Sequence, residues 1–369
     1  MKILYDHQTF TGTQYGGISR YFFELMNAFW GRQDIDFELS LKFSNNEYLR
    51  NVPYAHPWGY TRLANNFRAN QAFSLLNRLC STTKLNAGDY DIFHPTYYHS
   101  YFLDKIGKKP LVITFHDALS EKYGKQFPVL GEGLTDLKQS LLSRADKVIA
   151  VSEATKRSIL DYFSIDEAKI KVVPLGNYFE RPTANHSQAL TLPDRFILFV
   201  GKRDFYKNFD RFFESIVPLL KNDKNLHLIC AGGGGFTSEE KQTISAQGLQ
   251  TRVLYQPIID DMTLIQLYEE AQVFVFPSLM EGFGLPILEA MSCGCPVAAT
   301  TGTSFDEIAQ DAAIYFEAES HDSIRAAVEQ VVYSDSLQQT MRQRGYERVP
   351  LFRAETTAQK TLEVYKELV

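Results

Sequence analysis

The chain has 369 residues, more than one hydrophobic core usually supports, so two domains are expected. Its composition, 44% apolar and 22% charged, is that of an ordinary soluble globular protein. No apolar run approaches the length of a transmembrane span, and a net charge of −6 argues against general nucleic-acid binding.

The start of the chain and its cysteines indicate a reduced, cytoplasmic setting. Charge interrupts the opening MKILYDHQTF early, which predicts a first strand rather than a signal peptide. Cys293 and Cys295 are too close for a normal disulfide, and with Cys80 and Cys230 they show no zinc-ligand spacing. We therefore expect free thiols and no metal site.

The first half of the chain repeats apolar strands that end in polar or glycine-containing turns. Residues 1–6 predict a strand, 11–17 a polar glycine loop and 18–30 an amphipathic helix. Such a turn lets the backbone approach a phosphate, although glycine turns also end many strands for steric reasons alone. Further strands are predicted at residues 37–43, 91–95, 111–116, 147–152 and 170–174.

Residues 48–88 form a basic and aromatic segment without a single acidic residue. One interpretation is a solvated helix face with some core aromatics. The other is a surface for an anionic, amphipathic partner, such as lipid phosphates at a membrane. The cations of this segment are Arg50, Arg62, Arg68, Arg78 and Lys84.

The second half of the chain shows another series of alternating strands and helices. A polar stretch at 177–193 predicts a linker, because prolines punctuate it and no periodicity appears. Strands are then predicted at 196–201, 226–231, 253–255, 273–276, 296–299 and 313–316, and helices at 208–220, 262–271, from 286, from 305 and at 353–368. This α/β pattern predicts two doubly wound domains, 1–180 with 350–369 and 190–349.

Two parts of the second domain carry candidate functional residues. The loop after the first strand, 201–208, contains Lys202, Arg203 and Lys207, which favours a diphosphate site at the carboxyl edge of the sheet. The alternative is a charged surface loop without a binding function. The glycine turn after residue 276 carries Glu281 and leads into a helix that carries Glu289.

These two glutamates are either ordinary surface residues or acceptors for hydroxyl groups. A carboxylate can accept hydrogen bonds from two vicinal hydroxyls, as a sugar offers. The helix N-terminus after Gly284 favours an anion. Phosphate donors beside hydroxyl acceptors suit a nucleotide sugar.

The motifs of the chain resemble those of a GT-B glycosyltransferase of the large retaining family four. Residues 281–286, EGFGLP, together with Glu289 are similar to that family's two-glutamate motif. Residues 200–208 resemble its phosphate-binding loop, and 145–153 a common helix-entry motif. The resemblance covers nearly the full length. It implies two Rossmann-like domains facing a central cleft, with a terminal helix that crosses back to the first, acceptor-side domain.

The resemblance implies a role for each matching residue. Glu281 would contact the hydroxyls of the donor sugar, Glu289 the nucleotide ribose, and His116 the region of the reacting carbon. The alternative interpretation, which does not use the resemblance, is that His116 ends a strand and forms a hydrogen bond with a neighbouring loop. Backbone contacts with the donor are implied for Gly16, Gly17, Phe283, Gly284 and Leu285.

The diphosphate would be bound by Lys207 and a neighbouring arginine. In many members this arginine directly follows the glycine, but here Lys202 occupies that place and Arg203 comes one residue later. We favour Arg203, because a guanidinium suits phosphate geometry better than an ammonium; Lys202 stays the alternative.

The implied mechanism transfers a hexose with retention of anomeric configuration. Fixed cations and a helix dipole would stabilise the charge on the departing diphosphate, so no metal or other cofactor is expected. Segment 301–307 and Phe283 resemble O-antigen mannosyltransferases, which favours GDP-mannose over a UDP-hexose. The acceptor would be a glycan or lipid-linked glycan of surface polysaccharide or lipopolysaccharide synthesis, at the inner face of the plasma membrane.

Two other classes of protein are compatible with the same motifs. A phosphorylase or epimerase shares such a two-domain cleft, but the Lys207 loop with the two glutamates favours transfer, and no motif supplies the lysine for pyridoxal phosphate. A non-catalytic nucleotide-sugar-binding protein would keep the donor site without turnover.

Overall fold

A computed structural model describes residues 1–55, 67–131, 133–179, 190–203, 205–258 and 260–369, without the side chains of 67–69. The chain divides into two compact units. Unit 1 comprises Met1–Gly176 and Arg353–Val369, and unit 2 comprises Asn177–Phe352. Most of the linker expected at 177–193 lies outside the described residues.

Unit 1 alternates parallel strands with helices. Its strands are β1 (Lys2–Tyr5), β2 (Asp36–Leu39), β3 (Ile92–His94), β4 (Val112–Phe115), β5 (Lys147–Ala150) and β6 (Ile170–Val172). Its first five helices are α1 (Gly17–Phe29), α2 (Phe67–Ala87), α3 (Leu119–Tyr123), α4 (Leu134–Arg144) and α5 (Glu153–Tyr162). Every residue of β3 and β4 is buried, as expected for parallel strands covered on both faces.

The strands of unit 1 form two parallel three-stranded sheets, β2-β1-β3 and β4-β5-β6. A parallel bridge between Phe93 and Leu111 links β3 to the start of β4. The combined order β2-β1-β3-β4-β5-β6 places a topological switch point between β1 and β3. Ligands of open α/β sheets bind beyond the carboxyl ends of the strands at such a point.

In its described residues, unit 2 forms one parallel sheet of six strands. These are β7 (Phe196–Val200), β8 (His227–Ala231), β9 (Val253–Gln256), β10 (Val273–Phe276), β11 (Val297–Thr300) and β12 (Ala313–Phe316). The order β9-β8-β7-β10-β11-β12 is the dinucleotide-binding order, with its switch point between β7 and β10.

Seven helices cover the sheet of unit 2: α6 (Phe209–Asn222), α7 (Ser238–Ala246), α8 (Asp261–Glu270), α9 (Leu285–Ser292), α10 (Phe305–Ala309), α11 (His321–Val332) and α12 (Asp335–Arg348), counted in the described part of the unit. The apolar stripe of α6, with Phe212, Ile216 and Leu220, packs in one core with Val328 and Val331 of α11. Helical spacing of apolar residues therefore accounts for this layer.

The last helix, α13 (Ala354–Lys366), returns to unit 1. The hydroxyl of Tyr365 lies 2.9 Å from that of Tyr5 and 2.6 Å from His94 Nδ1, and all three side chains are buried. His94 Nε2 lies 2.9 Å from Thr114 Oγ1. The end of the chain is thus tied to β1, β3 and β4 by a continuous buried network.

One strand prediction is only half right. The expected strand at 37–43 ends at Leu39 as β2. The N–H of Ser40 still donates to the carbonyl of Tyr5 on β1 at 2.9 Å, and residues 41–43 leave the sheet. The side-chain oxygen of Asn77 on α2 accepts hydrogen bonds from the N–H groups of Lys42 and Phe43, at 2.9 and 2.8 Å. A side chain from another element therefore replaces the strand partners that Lys42 and Phe43 would need.

Candidate active site

The loops that follow β7 and β10 meet at the switch point of unit 2. Lys207 belongs to the first loop, and Glu281 belongs to the second. The Nζ atom of Lys207 lies 2.6 Å from Glu281 Oε1, and each side chain is 17% exposed. The structure thus places the expected phosphate-binding cation against the expected sugar-binding carboxylate, at the edge where this fold type binds ligands.

The Lys207 loop is anchored by the residue that follows it. Asn208 adopts the left-handed region at a φ of 58°, which asparagine tolerates better than most residues. Its amide nitrogen donates to the carbonyl of Pro277 at 3.2 Å and to that of Ala318 at 2.8 Å. The ammonium of Lys207 also lies 5.2 Å from the ring centre of Phe276. The cation is therefore held beside the end of β10.

The glycine turn before α9 needs its glycine at position 284. Gly284 has a φ of 112°, and a Cβ there would lie 2.9 Å from the ring of Phe305. The hydroxyl of Ser304 lies within hydrogen-bond distance of the carbonyls of Glu281 and Phe283, at 3.0 and 2.7 Å. These contacts aim the first N–H groups of α9, from Leu285 onward, into the turn.

Glu289 lies farther along α9. Its Oε2 atom accepts a hydrogen bond of 3.5 Å from the hydroxyl of Tyr268 on α8. Burial, and next the charge of Glu289, raise the pKa of Tyr268, so this hydroxyl remains a donor. The carboxylate is thus supported by a buried neighbour, and its contact with a ribose stays a prediction.

Arg203 is buried in contacts within the protein. Its guanidinium pairs with Glu240 at 2.8 Å and donates to the carbonyls of Gly234 and Gly235 at 2.8 and 2.9 Å. The group also lies 4.9 Å from the ring centre of Phe236. Arg203 therefore braces the glycine loop after β8, whereas Lys202 is exposed. The binding of a phosphate by Arg203 stays a prediction.

In unit 1, the predicted glycine loop leads into α1. Gly16 is the residue before the helix and has an extended φ of −177°, and Gly17 is its first residue. A Cβ on Gly16 would lie 3.3 Å from the methyl group of Thr13. The hydroxyl of Ser19 donates to the carbonyl of Gly16 at 2.9 Å. The loop is therefore closely packed, and its contact with a donor stays a prediction.

His116 follows β4 directly and is buried. Its N–H donates to the hydroxyl oxygen of Tyr98 at 2.7 Å, and its ring packs edge-on against Tyr21 at 5.7 Å. Burial, and secondarily the charge of Lys138, lower the pKa of His116 to about 3. A neutral imidazole can exchange hydrogen bonds with a sugar but brings no charge. The placement of His116 near a reacting carbon stays a prediction.

The structure also shows supporting residues that the sequence did not predict. Asn208, Ser304 and Glu240 hold the three segments that carry the candidate site, and Lys138 lies beside His116. Asparagine at the end of a loop is a signal for a left-handed residue, which makes Asn208 recognisable in principle. Glu240 completes a capping box with Thr237 at the start of α7, a pattern visible in the sequence, but its pairing with Arg203 and the contacts of Ser304 depend on tertiary packing.

Two family models match the chain, Glycosyltransferase Family 4 over residues 15–177 and Glycosyl transferases group 1 over residues 181–348. The fold and these matches define a glycosyltransferase of the GT-B class. The chain belongs to the family four glycosyltransferases with a group 1 second domain. The predicted family and the predicted pair of Rossmann-like α/β domains are confirmed.

Curated relatives share about a quarter of their residues with this chain. O-antigen chain mannosyltransferase B of Escherichia coli is 25% identical over 95% of this chain and 96% of its own length. A D-inositol 3-phosphate glycosyltransferase of Actinosynnema mirum is 27% identical over 77% of this chain and 75% of its own length.

Solved structures match the fold over the whole chain. The HepE protein of Anabaena, in complex with UDP and glucose, has a TM-score of 0.74 at 18% identity and covers 100% of both chains. A sucrose-phosphate synthase of Thermosynechococcus elongatus has a TM-score of 0.74 at 20% identity, over 100% of this chain and 98% of its own.

Two further observations concern membranes and metals. Within the described ranges, no helix combines the length and the apolar character that a membrane crossing requires. The same part of the chain holds no group of three or more histidine, cysteine or acidic side chains arranged to bind a metal ion.

Proposed function

We propose that this glycosyltransferase moves a hexose, with retention of anomeric configuration, from a nucleoside diphosphate sugar to a glycan or lipid-linked acceptor. The contact between Lys207 and Glu281 carries the proposal. It joins a group that suits a phosphate to a group that suits sugar hydroxyls, at the switch point of a dinucleotide-binding sheet.

Donor binding would replace the ion pair with two ligand contacts. Lys207 turns to the diphosphate, and Glu281 accepts hydrogen bonds from the sugar hydroxyls. The N–H groups of Phe283, Gly284 and Leu285 and the dipole of α9 stabilise charge on the departing diphosphate. Glu289 contacts the ribose.

Retention follows when the acceptor hydroxyl attacks on the face that the diphosphate leaves. Gly16 and Gly17 approach the diphosphate from their loop, Arg203 supports the phosphate site, and neutral His116 bonds the sugar. Lys207 and the helix N–H groups supply the positive potential, so the reaction requires no divalent metal. Turnover that survives chelation by EDTA is the expected outcome; full loss restored by magnesium would refute this part.

Mannose from GDP-mannose is the proposed donor group. The support is the name of the relative that spans 95% of this chain, an O-antigen chain mannosyltransferase. A UDP-hexose is the alternative donor, because the structurally similar HepE protein was solved with UDP and glucose. A thermal-shift panel of GDP- and UDP-sugars separates them, since a bound donor stabilises the folded chain by mass action.

The proposed setting is the cytoplasmic face of the plasma membrane, in synthesis of a surface polysaccharide. Residues 48–88 are the proposed contact with anionic lipid, although 56–66, including Arg62, lie outside the described residues. Liposome sedimentation tests the contact. Charge reversal at Arg62, Arg68 and Arg78 is expected to reduce binding, and unchanged binding would refute it.

Glu281→Gln tests the catalytic proposal. The amide keeps the size of the side chain but loses the charge that strengthens bonds to hydroxyls, so we expect kcat/KM to fall by about tenfold to a hundredfold. Glu329→Gln, at an exposed position on α11, is the control and should match wild type. NMR of the product anomer checks retention.

Two outcomes would contradict the proposal. Equal turnover in the Glu281 and Glu329 variants would remove Glu281 from the site. A wild-type chain that binds a nucleotide sugar and transfers or hydrolyses none of those in the panel would be a binding protein rather than a transferase.

A further inference from the structure

A cavity lies at the switch point of unit 1, and the active site proposed above does not use it. Its volume is about 410 Å³. Its walls are the loop after β1, the segment after β3, and the N-terminal half of α2. The cavity therefore occupies the position at which an open parallel sheet binds its ligands.

The charged groups in this cavity favour an anion. Arg78, His7 and His99 line it, and no carboxylate is among the lining residues that the structure describes. Arg78 forms no ion pair with any carboxylate in the described ranges. Its guanidinium lies 5.4 Å from the ring centre of Tyr101, which positions it by a cation–π contact. An exposed guanidinium held over an aromatic ring suits a phosphoryl group.

The nearest acidic group is already satisfied by the protein. Asp6 is fully buried beneath the cavity. Its oxygens accept hydrogen bonds from the Thr96 N–H at 2.8 Å, the Tyr101 hydroxyl at 3.0 Å and the Gln8 amide at 2.7 Å. These bonds fix the residues that line the cavity and disperse the negative charge of Asp6.

The Nδ1 atoms of both histidines contact neighbouring groups of the protein, and these contacts orient the rings. His99 Nδ1 accepts from the N–H of Tyr101 at 3.1 Å, so a neutral His99 carries its proton on Nε2, where it can be donated to a ligand. His7 Nδ1 lies 2.9 Å from Ser81 Oγ. Burial and the charge of Arg78 lower the pKa of both rings, while Asp6 opposes this. An anion beside them would raise their pKa and favour their protonation.

The rim of the cavity is apolar. Leu75, on α2, is 60% exposed, and Tyr97 is 40% exposed. Leu79, also on α2, is 56% exposed one turn from Leu75. Asn70 and Gln71 add side-chain amides, which suit hydroxyl groups. An anion site with polar amides and an apolar margin matches a phosphoryl group that joins a sugar to a lipid.

We propose that this cavity binds the phosphoryl group of a lipid-phosphate-linked saccharide, with Arg78 as its principal contact. The assignment names the acceptor class and so rests on the proposed transferase function. The proposed ligand is a phosphate that is attached to a lipid chain. Free phosphate and pyrophosphate carry the same phosphoryl group and are the competing ligands.

Calorimetry on the full chain, without donor, tests the site. The ligands are farnesyl phosphate below its micelle concentration, farnesol, inorganic phosphate and pyrophosphate. We expect farnesyl phosphate to bind and farnesol not to bind. Arg78→Gln should weaken binding by about tenfold or more. The control is Arg32→Gln, an exposed arginine of unit 1 outside residues 48–88 that pairs with Asp34 at 2.9 Å and should match wild type.

The outcomes separate this proposal from the proposed function. Equal binding by both arginine variants would overturn the site, and so would a wild-type chain that does not bind farnesyl phosphate. Inorganic phosphate or pyrophosphate binding as tightly, with the same dependence on Arg78, would overturn the lipid-linked assignment. Because no measurement requires turnover, absence of hexose transfer would instead refute the proposed function.

Discussion

At the scale of single residues, Lys207 and Glu281 show how the site is prepared. Their ion pair at 2.6 Å neutralises two groups that a nucleotide sugar would engage separately. Since both side chains are mostly buried, neither has to be fully desolvated when a ligand binds.

Two buried histidines of unit 1 predict how stability depends on pH. Burial, and next the charge of His116, lower the pKa of His94 to about 3, and the pKa of His116 is lowered to about 3 as well. In the unfolded chain both groups titrate near about 6.5. Between these values the unfolded state binds more protons, so the free energy of unfolding falls as the pH falls.

The experiment is urea unfolding between pH 5 and 6, followed by tryptophan fluorescence. Both tryptophans, Trp30 and Trp58, belong to unit 1. His94→Gln should reduce the pH slope by about 1 kcal/mol per pH unit. Ile113→Val, at a buried position on β4, removes a methylene without a titrating group and should keep the wild-type slope. Equal slopes in both variants would show that His94 is not held neutral.

At the scale of elements, helix α9 owes its position to a glycine turn. Gly284 adopts a φ of 112° and leaves no room for a Cβ beside Phe305, whose ring stacks on that of Phe276 at 4.8 Å. The start of the helix, and so the direction of its first N–H groups, depends on this close contact. Pro286 fits the first turn, because its missing N–H has no partner there.

Gly284→Ala should therefore damage donor binding as well as stability. Gly302→Ala is the matched control, because Gly302 has a φ of 74° and no atom within 4 Å of a Cβ. The control isolates the backbone cost of about 1–2 kcal/mol. Gly284→Ala adds a collision with Phe305, so we expect a larger loss of thermal stability and a weaker stabilisation by the donor. Identical effects in the two variants would refute the role of this contact.

At the scale of the whole molecule, the end of the chain completes the first unit. Helix α13 belongs to unit 1, although unit 2 separates it from the rest in sequence. Its Tyr365 joins Tyr5 and His94 in the core, and Lys147 on β5 pairs with Glu367 at 2.6 Å just beyond the helix. Unit 1 therefore cannot form all of its core contacts until the last residues are available.

Tyr365→Phe measures this dependence. The substitution leaves the buried partners of the hydroxyl, Tyr5 and His94, without one hydrogen bond each. We expect a loss of about 1–3 kcal/mol in the free energy of unfolding, read from tryptophan fluorescence. Tyr162→Phe, at an exposed position on α5 of the same unit, should change it by less than about 0.5 kcal/mol. A loss no larger than that of the control would contradict the role of the network.

Much of the fold was predictable, because local patterns determine it. Short apolar runs such as 148–150 and 273–276 are buried on both faces, and the sequence marks them directly. The strand expected at 37–43 was misjudged beyond Leu39, because Asn77, distant in sequence, accepts the hydrogen bonds of Lys42 and Phe43. Helices α11 and α12 were not predicted individually, although α11 supplies core residues to unit 2.

The candidate site was predictable to the extent that its residues lie in short motifs. The glycine turn with Glu281 and Glu289 and the loop with Lys207 are contiguous patterns, and each belongs to one strand end. Pairing Lys207 with Glu281 required the strand order, which places β7 beside β10. The contacts of Arg203 with Glu240 and the glycine loop were not foreseeable, since a cation in a loop shows no partner in sequence.

By itself, the sequence determined the parallel α/β architecture, the family and the segments that carry the candidate donor site. Strand burial, turn chemistry and short motifs are local, so they are visible along one chain. Only the tertiary structure decided that Lys207 neutralises Glu281, that Arg203 braces a loop, and that His7, Arg78 and His99 line one cavity. These outcomes depend on which strands become neighbours, because the order of strands in a sheet brings distant residues to one edge.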